Sequence, residues 1–323
     1  MFEGTLGIDI SKKELAVALI IGNKISKNKF ANNQQGFAKL NQWLSIKAIK
    51  DLKVCMEATG SYGDEVAEFL YNQGYSVSII NPACIKAYAS SKLKRHKTDE
   101  VDAVLIAEYA NKNELHPYKP RDSMLKKLRS FYRCQQNLKI QRTQVSNYLE
   151  NEHTLPDSIS IIYRRLLNEI DLQIKSIDLL IDELLTNNST LKEHCENLQS
   201  IPGVGKITAI AILSEVPDFS SFNSARQLAA YAGLTPKQNT SGTSVRGKSR
   251  LSKIGSSNLR KALYFPAISA KSHNSIVKEF ANKLKNRGKN TMVIIGAIMR
   301  KLLHIAFGVI KHKTKYNSQM LYT

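Results

Sequence analysis

The feature that most restricts the fold is a run of strands that gives way to an alternation. "LGIDIS" and "ELAVALII" read as two strands and "KISKNKFAN" as a third, with Gly22-Asn23 between the last two supplying a hairpin turn. "QGFAKLNQWLSIKA" then reads as a helix with Phe37, Leu40, Trp43 and Leu44 on one face. "LKVCMEAT" is a strand, "GDEVAEFLYNQ" a helix and "YSVSIIN" another strand. Pro82 opens a short helix, and "KTDEVDAVLIAEYANK" is a further helix with Thr98 at its N-cap. Strands that alternate with helices need a sheet covered by those helices, so an α/β domain with a mixed sheet is expected.

From Ser123 the pattern changes. Leu166, Ile170, Ile174, Ile177, Ile181 and Leu184 recur at steps of four or three, a heptad-like seam. Pro156 separates it from the earlier helix "MLKKLRSFYRCQQNLKIQRTQVSNYLEN". Two long helices follow, either a coiled coil or an ordinary two-helix core. "IPGVGKITAIAILSEV" then places a Gly-x-Gly turn before an apolar helix, the form of a helix-hairpin-helix. In that form Gly203, Gly205 and Lys206 are candidate phosphate contacts, although such turns also serve as plain connectors. The expected division is 1–120, 121–195 and 196–323, the last mostly helical.

Charge separates these segments. The net charge is +20, and from Arg226 to the C-terminus there are 19 Lys and Arg against a single acid, Glu279. The excess sits in the last third, which favours a polyanionic partner, nucleic acid ahead of a membrane surface. The most apolar stretch, "TMVIIGAIMRKLLHIAFGVI", is interrupted by Arg300, Lys301 and His304 and reads as a core helix. The N-terminus lacks a basic-then-apolar leader. Cys55, Cys84, Cys134 and Cys195 are too scattered for a zinc site or a disulfide framework, which fits a reducing, cytoplasmic setting.

Four carboxylates carry the chemistry. Asp9 follows "LGI" in the first strand, and Glu57 ends the strand "KVCME". Asp99 and Asp102 stand three apart at the start of one helix and so share a face. Four converging carboxylates repel one another unless a cation joins them, and hard oxygen ligands suit Mg²⁺. Two such ions clamp the attacking and leaving oxygens of a phosphodiester. The plainer reading of Asp99 is a charge complementing the helix dipole, and of Asp102 a solvated face. The run "KLKRHK" before Asp99 offers Lys94, Arg95 and Lys97 to a nucleic-acid backbone, or is simply a solvated loop.

The stretch "NTSGTSVRGKSRLSKIG" reads as a phosphate-binding loop, with Arg246, Lys248, Arg250 and Lys253 neutralising a strand. A hydroxyl there becomes a nucleophile only if a base or metal activates it. Chemically, Ser241, Ser244, Ser249 and Ser252 are equal candidates.

Together "GIDISK", "CMEATGSYG", "VSIINPACIKAYA" and "KTDEVDA" resemble the RuvC-like, DEDD-type domain of insertion-sequence one-ten family transposases. "SIPGVGKITA", the segment from "FNSARQLAAYAGLTPK" through "SSNLRKALY", and "GKNTMVIIGAIMRKLLHIAFGVI" resemble that family's second domain, in the family's order. The resemblance spans nearly the whole chain. It implies an RNase H-like first domain, a coiled-coil linker that builds a dimer or tetramer, and a recombinase that cuts and rejoins donor and target DNA. It implies Asp9, Glu57, Asp99 and Asp102 as catalytic acids holding one or two Mg²⁺, with Mn²⁺ able to substitute. It also implies Ser241, in "TSG", as the nucleophile that forms a 5′-phosphoserine link, with a noncoding bridge RNA as guide. The expected location is the bacterial cytoplasm, on the nucleoid when DNA is bound, with no membrane partner. Two rival readings are a structure-specific endonuclease that uses water and a nucleic-acid-binding scaffold without catalysis.

Overall fold

The computed structural model describes residues 2–47, 49, 51–58, 60, 62–93, 98–241 and 245–317, with 238–241 and 245–249 described by their backbone alone. The chain divides into two compact units, Met1–Pro120 and Arg121–Thr323.

The first unit is a five-stranded mixed sheet between helices. β1 (Gly4–Ile10), β2 (Glu14–Ile21) and β3 (Lys24–Ala31) form an antiparallel meander, as the Gly22-Asn23 turn predicts. α1 (Gln34–Ser45) leads to β4 (Leu52–Glu57), and α2 (Asp64–Asn72) to β5 (Ser76–Ile80). β4 lies parallel to β1 and β5 parallel to β4, giving the order β3-β2-β1-β4-β5. α3 (Pro82–Ser91) and α4 (Asp99–Lys112) complete the unit.

Side-chain alternation sorts the two faces of the sheet. Leu6, Ile8, Leu15, Val17, Leu19, Val54, Met56 and Val77 pack with Phe37, Leu40 and Leu44 of α1 and Val66, Ala67 and Leu70 of α2. The other face has small residues under α4, where Ala16 and Ala18 meet Ala103 and Val104. Gly7 makes the closest approach. A Cβ there would stand 2.2 Å from the Ala103 carbonyl oxygen and 2.4 Å from the Ala107 amide nitrogen. Any side chain at position 7 would push α4 off β1. The far end of α4 is held by Lys53 of β4, whose Nζ donates to the carbonyls of Ala110 and Asn113, each at 2.7 Å. A cation there complements the helix C-terminus.

Among the described residues the second unit is mostly helical, with one two-stranded hairpin. α5 (Ser123–Leu149) and α6 (Asp157–Thr186) are the two long helices expected, and they pack against each other. Of the expected seam, Ile170, Ile181 and Leu184 are buried, while Leu166 is 44% exposed. The seam therefore closes toward the C-terminal half of α6 and opens toward its start. α7 (Ser189–Gln199) and α8 (Lys206–Glu215) are joined by a short turn, and α9 spans Ala225–Tyr231. β6 (Pro236–Ser241) and β7 (Val245–Leu251) pair antiparallel. This corrects the expectation of a loop over 239–255, because Asn239–Ser241 and Val245–Leu251 are strands. β6 reads "PKQNTS" and β7 has apolar side chains only at its ends, Val245 and Leu251, so no apolar alternation announces them. α10 (Ser257–His273), α11 (Ser275–Asn286) and α12 (Thr291–His312) close the unit.

α12 is long and apolar enough to cross a membrane by length and composition, but 67% of its most apolar window is buried inside the fold. Ile298, Leu302, Leu303 and Ala306 make it the spine of the second core. At the end of α8 the carboxylate of Glu215 is buried, and Arg133 of α5 pairs with it through two bonds of 3.0 Å. Arg121 donates to the Ser214 and Val216 carbonyls alongside. A buried carboxylate is tolerated only with such partners.

Candidate active site and nucleic-acid-binding surface

Register and the Gly7 contact together bring the four acids to one end of one sheet face. Ile8 pairs with Met56 in the parallel ladder. The next residues along are Asp9, the last but one of β1, and Glu57, the last of β4, and both lie on the same face as Gly7. α4 crosses that face with Ala103 at Gly7, so its first turn, with Asp99 and Asp102, lies at the same end. The Thr98 hydroxyl caps the helix by accepting from the Val101 amide at 3.3 Å.

Electrostatics report the convergence. Burial first, and then the charges of Asp99, Asp102 and Glu57, push the Asp9 carboxyl up from 3.8 to about 6. A bond from the Ile10 amide opposes this weakly. Asp9, Glu57 and Asp102 are half-buried, and Asp99 is exposed. A carboxylate raised by three like neighbours is a group that a cation would relieve. Among the described residues no three His, Cys, Asp or Glu side chains stand close enough together to hold a metal ion as they are. The donor set is nevertheless of the right chemistry for a hard divalent ion, four carboxylates with no thiol or imidazole among them.

The basic candidates divide differently. Lys94, Arg95 and Lys97 lie outside the described residues. Gly203 has a φ of +97°, and a Cβ there would lie 2.7 Å from backbone atoms of Ala270, so it is a packing glycine against α10. Gly205 is exposed at the N-cap of α8. Lys206 is paired with Asp182 at 2.5 Å.

Ser241 ends β6, with its backbone opposite Val245 across residues 242–244, which lie outside the described residues; Ser244 is one of them. Arg246 faces Thr240 and Lys248 follows in β7; their side chains, like that of Ser249, are not described. Arg250, opposite Lys237, is exposed, as is Lys253. Ser252 donates its amide to the Thr235 carbonyl at 2.8 Å.

Arg260 pins the base of this hairpin. Its Nη1 donates to the carbonyls of Ala232 at 2.9 Å and Gly255 at 3.1 Å, on either side of the two strands. Neither Arg260 nor Gly7 stands out in the sequence as a site residue. A glycine inside an apolar strand and alanines four apart on the helix above it were the available signals for the Gly7 contact. Nothing in the local pattern marks Arg260.

Residues 6–154 match the family model described as a DEDD-type IS110 transposase. Residues 195–282 match the transposase model of the IS116/IS110/IS902 family. The pilin gene-inverting protein of Moraxella bovis is 33% identical over 323 residues, covering 98% of each chain. The transposase for insertion sequence element IS1328 of Yersinia enterocolitica is 25% identical over 97% of this chain and 98% of its own. T. thermophilus RuvC, in complex with a Holliday junction substrate, overlays 33% of this chain and 90% of its own at 13% identity. Its TM-score of 0.27 adds nothing to the sheet topology described above. The architecture is an α/β unit followed in the chain by a basic, mostly helical one. The chain belongs to the IS110 family of transposases, enzymes that cleave and rejoin DNA.

Proposed function

We propose that the chain is the recombinase of an insertion sequence, and that Asp9, Glu57, Asp99 and Asp102 are its acidic centre. The observation that carries this reading is geometric: the parallel register sets Asp9 and Glu57 side by side on the sheet face that α4 crosses, with Ala103 at Gly7 and Asp99 and Asp102 in the first turn of that helix, and the upward push on the Asp9 carboxyl is in keeping with it. In this reading the first unit is a RuvC-like nuclease domain of the RNase H type, supported by its sheet order and strand directions. The four acids would hold one or two Mg²⁺, or Mn²⁺. When bound, such ions stabilise charge on the attacking and leaving oxygens of a phosphodiester.

The chain's own part is to hold four carboxylates on rigid elements at one end of the sheet and to present a hydroxyl from a basic hairpin. Ser241 Oγ attacks the scissile phosphorus and its proton passes to a carboxylate base. The P–O3′ bond breaks and the departing O3′ takes up the proton the carboxylate received, leaving a 5′-phosphoserine link and a free 3′-OH. The partner strand's 3′-OH then attacks that phosphorus and releases Ser241 with its hydroxyl restored. The basic residues of the hairpin, with Lys94, Arg95 and Lys97, neutralise the strands, and the backbone amides at the Gly205 start of α8 donate to a phosphate.

The family also supports a bridge RNA as guide, and a dimer or tetramer built through α5 and α6 as a coiled coil. The α7–α8 turn acts as a helix-hairpin-helix in this reading, and the protein works in the cytoplasm, on the nucleoid. The working division is an acidic domain over 1–120, a helical linker over 121–195 and a serine-bearing domain over 196–323.

The test is recombination by the full chain on a plasmid carrying the element's ends, with RNA transcribed from its flanking DNA and with Mg²⁺. Joined product is expected, lost in Asp9→Asn and lost without the RNA. Unchanged recombination in Asp9→Asn would remove the acids from the account. Nicked product without joining would favour a hydrolytic endonuclease.

A further inference from the structure

α10 turns an aromatic ring into solvent in the most basic part of the chain. Phe265 is 76% exposed, and Ile268, one turn on, is 41% exposed. Lys261 lies one turn before it on the same exposed line. The Tyr264 ring meets Phe265 in a T-shaped contact with centroids 5.4 Å apart. Met292 lies beside Tyr264, its sulfur 4.0 Å from the hydroxyl, and is itself 64% exposed. These side chains form an apolar patch on a surface whose charge is almost all of one sign. Glu279, the single acid after Arg226, is paired with Lys283 at 2.7 Å. Lys289 lies three residues before Met292 and is exposed.

An exposed aromatic edged by cations selects for a partner with flat apolar faces and a negative backbone. Single-stranded nucleic acid has both, because any unpaired base stacks on an aromatic ring while lysines follow its phosphates. We propose that Phe265 is a stacking platform for an unpaired base of a nucleic-acid strand. Tyr264 and Met292 back the platform, and Lys261 and Lys289 flank it. A second protein surface fits less well, since a partner would have to bring a matching acidic rim. This inference rests on the nucleic-acid reading of the second unit and adds a base-binding position distinct from the acids and the serine.

Binding of the full chain to a short oligothymidylate, its oligouridylate counterpart, a DNA duplex and an abasic strand of equal length tests it. Phe265→Ala should weaken binding to the unpaired strand about tenfold or more. Phe265→Trp should restore it, Phe265→Leu should not, and the abasic strand should show no loss. The DNA and RNA arms decide which strand is preferred. Equal affinity of Phe265→Ala and the parent chain for the unpaired strand overturns the inference, as does an equal loss on the abasic strand. Conversion of a dimer to a monomer by Phe265→Ala in sedimentation, with strand affinity unchanged, gives the face to a second copy and also overturns it. Salt-sensitive binding that ignores position 265 sinks this inference alone. No binding to any strand at low salt sinks the nucleic-acid reading with it.

Discussion

Gly7 and Ala103 meet so closely that a Cβ on the glycine would lie 2.2 Å from the alanine's carbonyl oxygen. That contact fixes the height of α4 above β1. Asp9 lies two residues beyond Gly7, and Asp102 immediately before Ala103. The spacing of the acidic cluster is thus set by a residue with no side chain.

Gly7→Ala is expected to act as a positioning defect. The clash is with helix backbone, which cannot rotate away, so the helix must lift. A loss of about 2–4 kcal/mol is expected in denaturant unfolding, together with loss of recombination. Gly4→Ala, at the strand's start, meets its nearest neighbours at 3.4 Å and serves as the control. Equal behaviour of the two variants would mean that α4 is not held this way.

The Asp9 carboxyl gives a pH signature. Its value in the folded chain is raised from 3.8 to about 6. Between those values the folded state binds more protons than the unfolded one, so stability falls as pH rises through the window. The penalty is absent below the unfolded value and complete above the folded one. Asp9→Asn removes it, so the variant should be more stable than the parent chain at pH 7 by about 1–2 kcal/mol, solvent screening of this half-buried group reducing the full effect of the shift, and no more stable in the acid range. Added Mg²⁺ should raise the Tm of the parent chain more than that of Asp9→Asn at neutral pH. A variant less stable at pH 7 than the parent would show that Asp9 is not under repulsion.

Arg260 should behave as a positioning residue for the hairpin. It ties together the carbonyls of Ala232 and Gly255, which flank β6 and β7. Strand joining should fall about tenfold or more in Arg260→Ala while DNA affinity changes much less. Should affinity and joining fall in parallel, Arg260 would instead be a phosphate contact.

Much of the first unit is legible in the sequence because its signals are local. The Gly22-Asn23 turn, the alternation in "ELAVALII" and the Thr98 cap each specify their element without help from elsewhere. The placement of Asp9 and Glu57 late in strands and of Asp99 and Asp102 at a helix start is legible for the same reason, since such positions are read locally. The Gly7–Ala103 contact is not, because periodicity tells which face of a helix is apolar but not which strand it covers. The 236–251 hairpin is hidden because its strands carry polar residues on both sides and are held by pairing and by Leu251 against Gly296. Lys206 reads as a free cation in sequence, and its pairing with Asp182 depends on α6 and α8 meeting.

The most direct measurement is trapping on a suicide DNA substrate whose cleaved strand cannot rejoin, followed by mass spectrometry of the adduct. The account predicts a DNA–protein link through a 5′-phosphate on Ser241, absent in Ser241→Ala and absent in Asp9→Asn. An adduct that persists in Ser241→Ala, or one that maps to Ser244, Ser249 or Ser252, would contradict it.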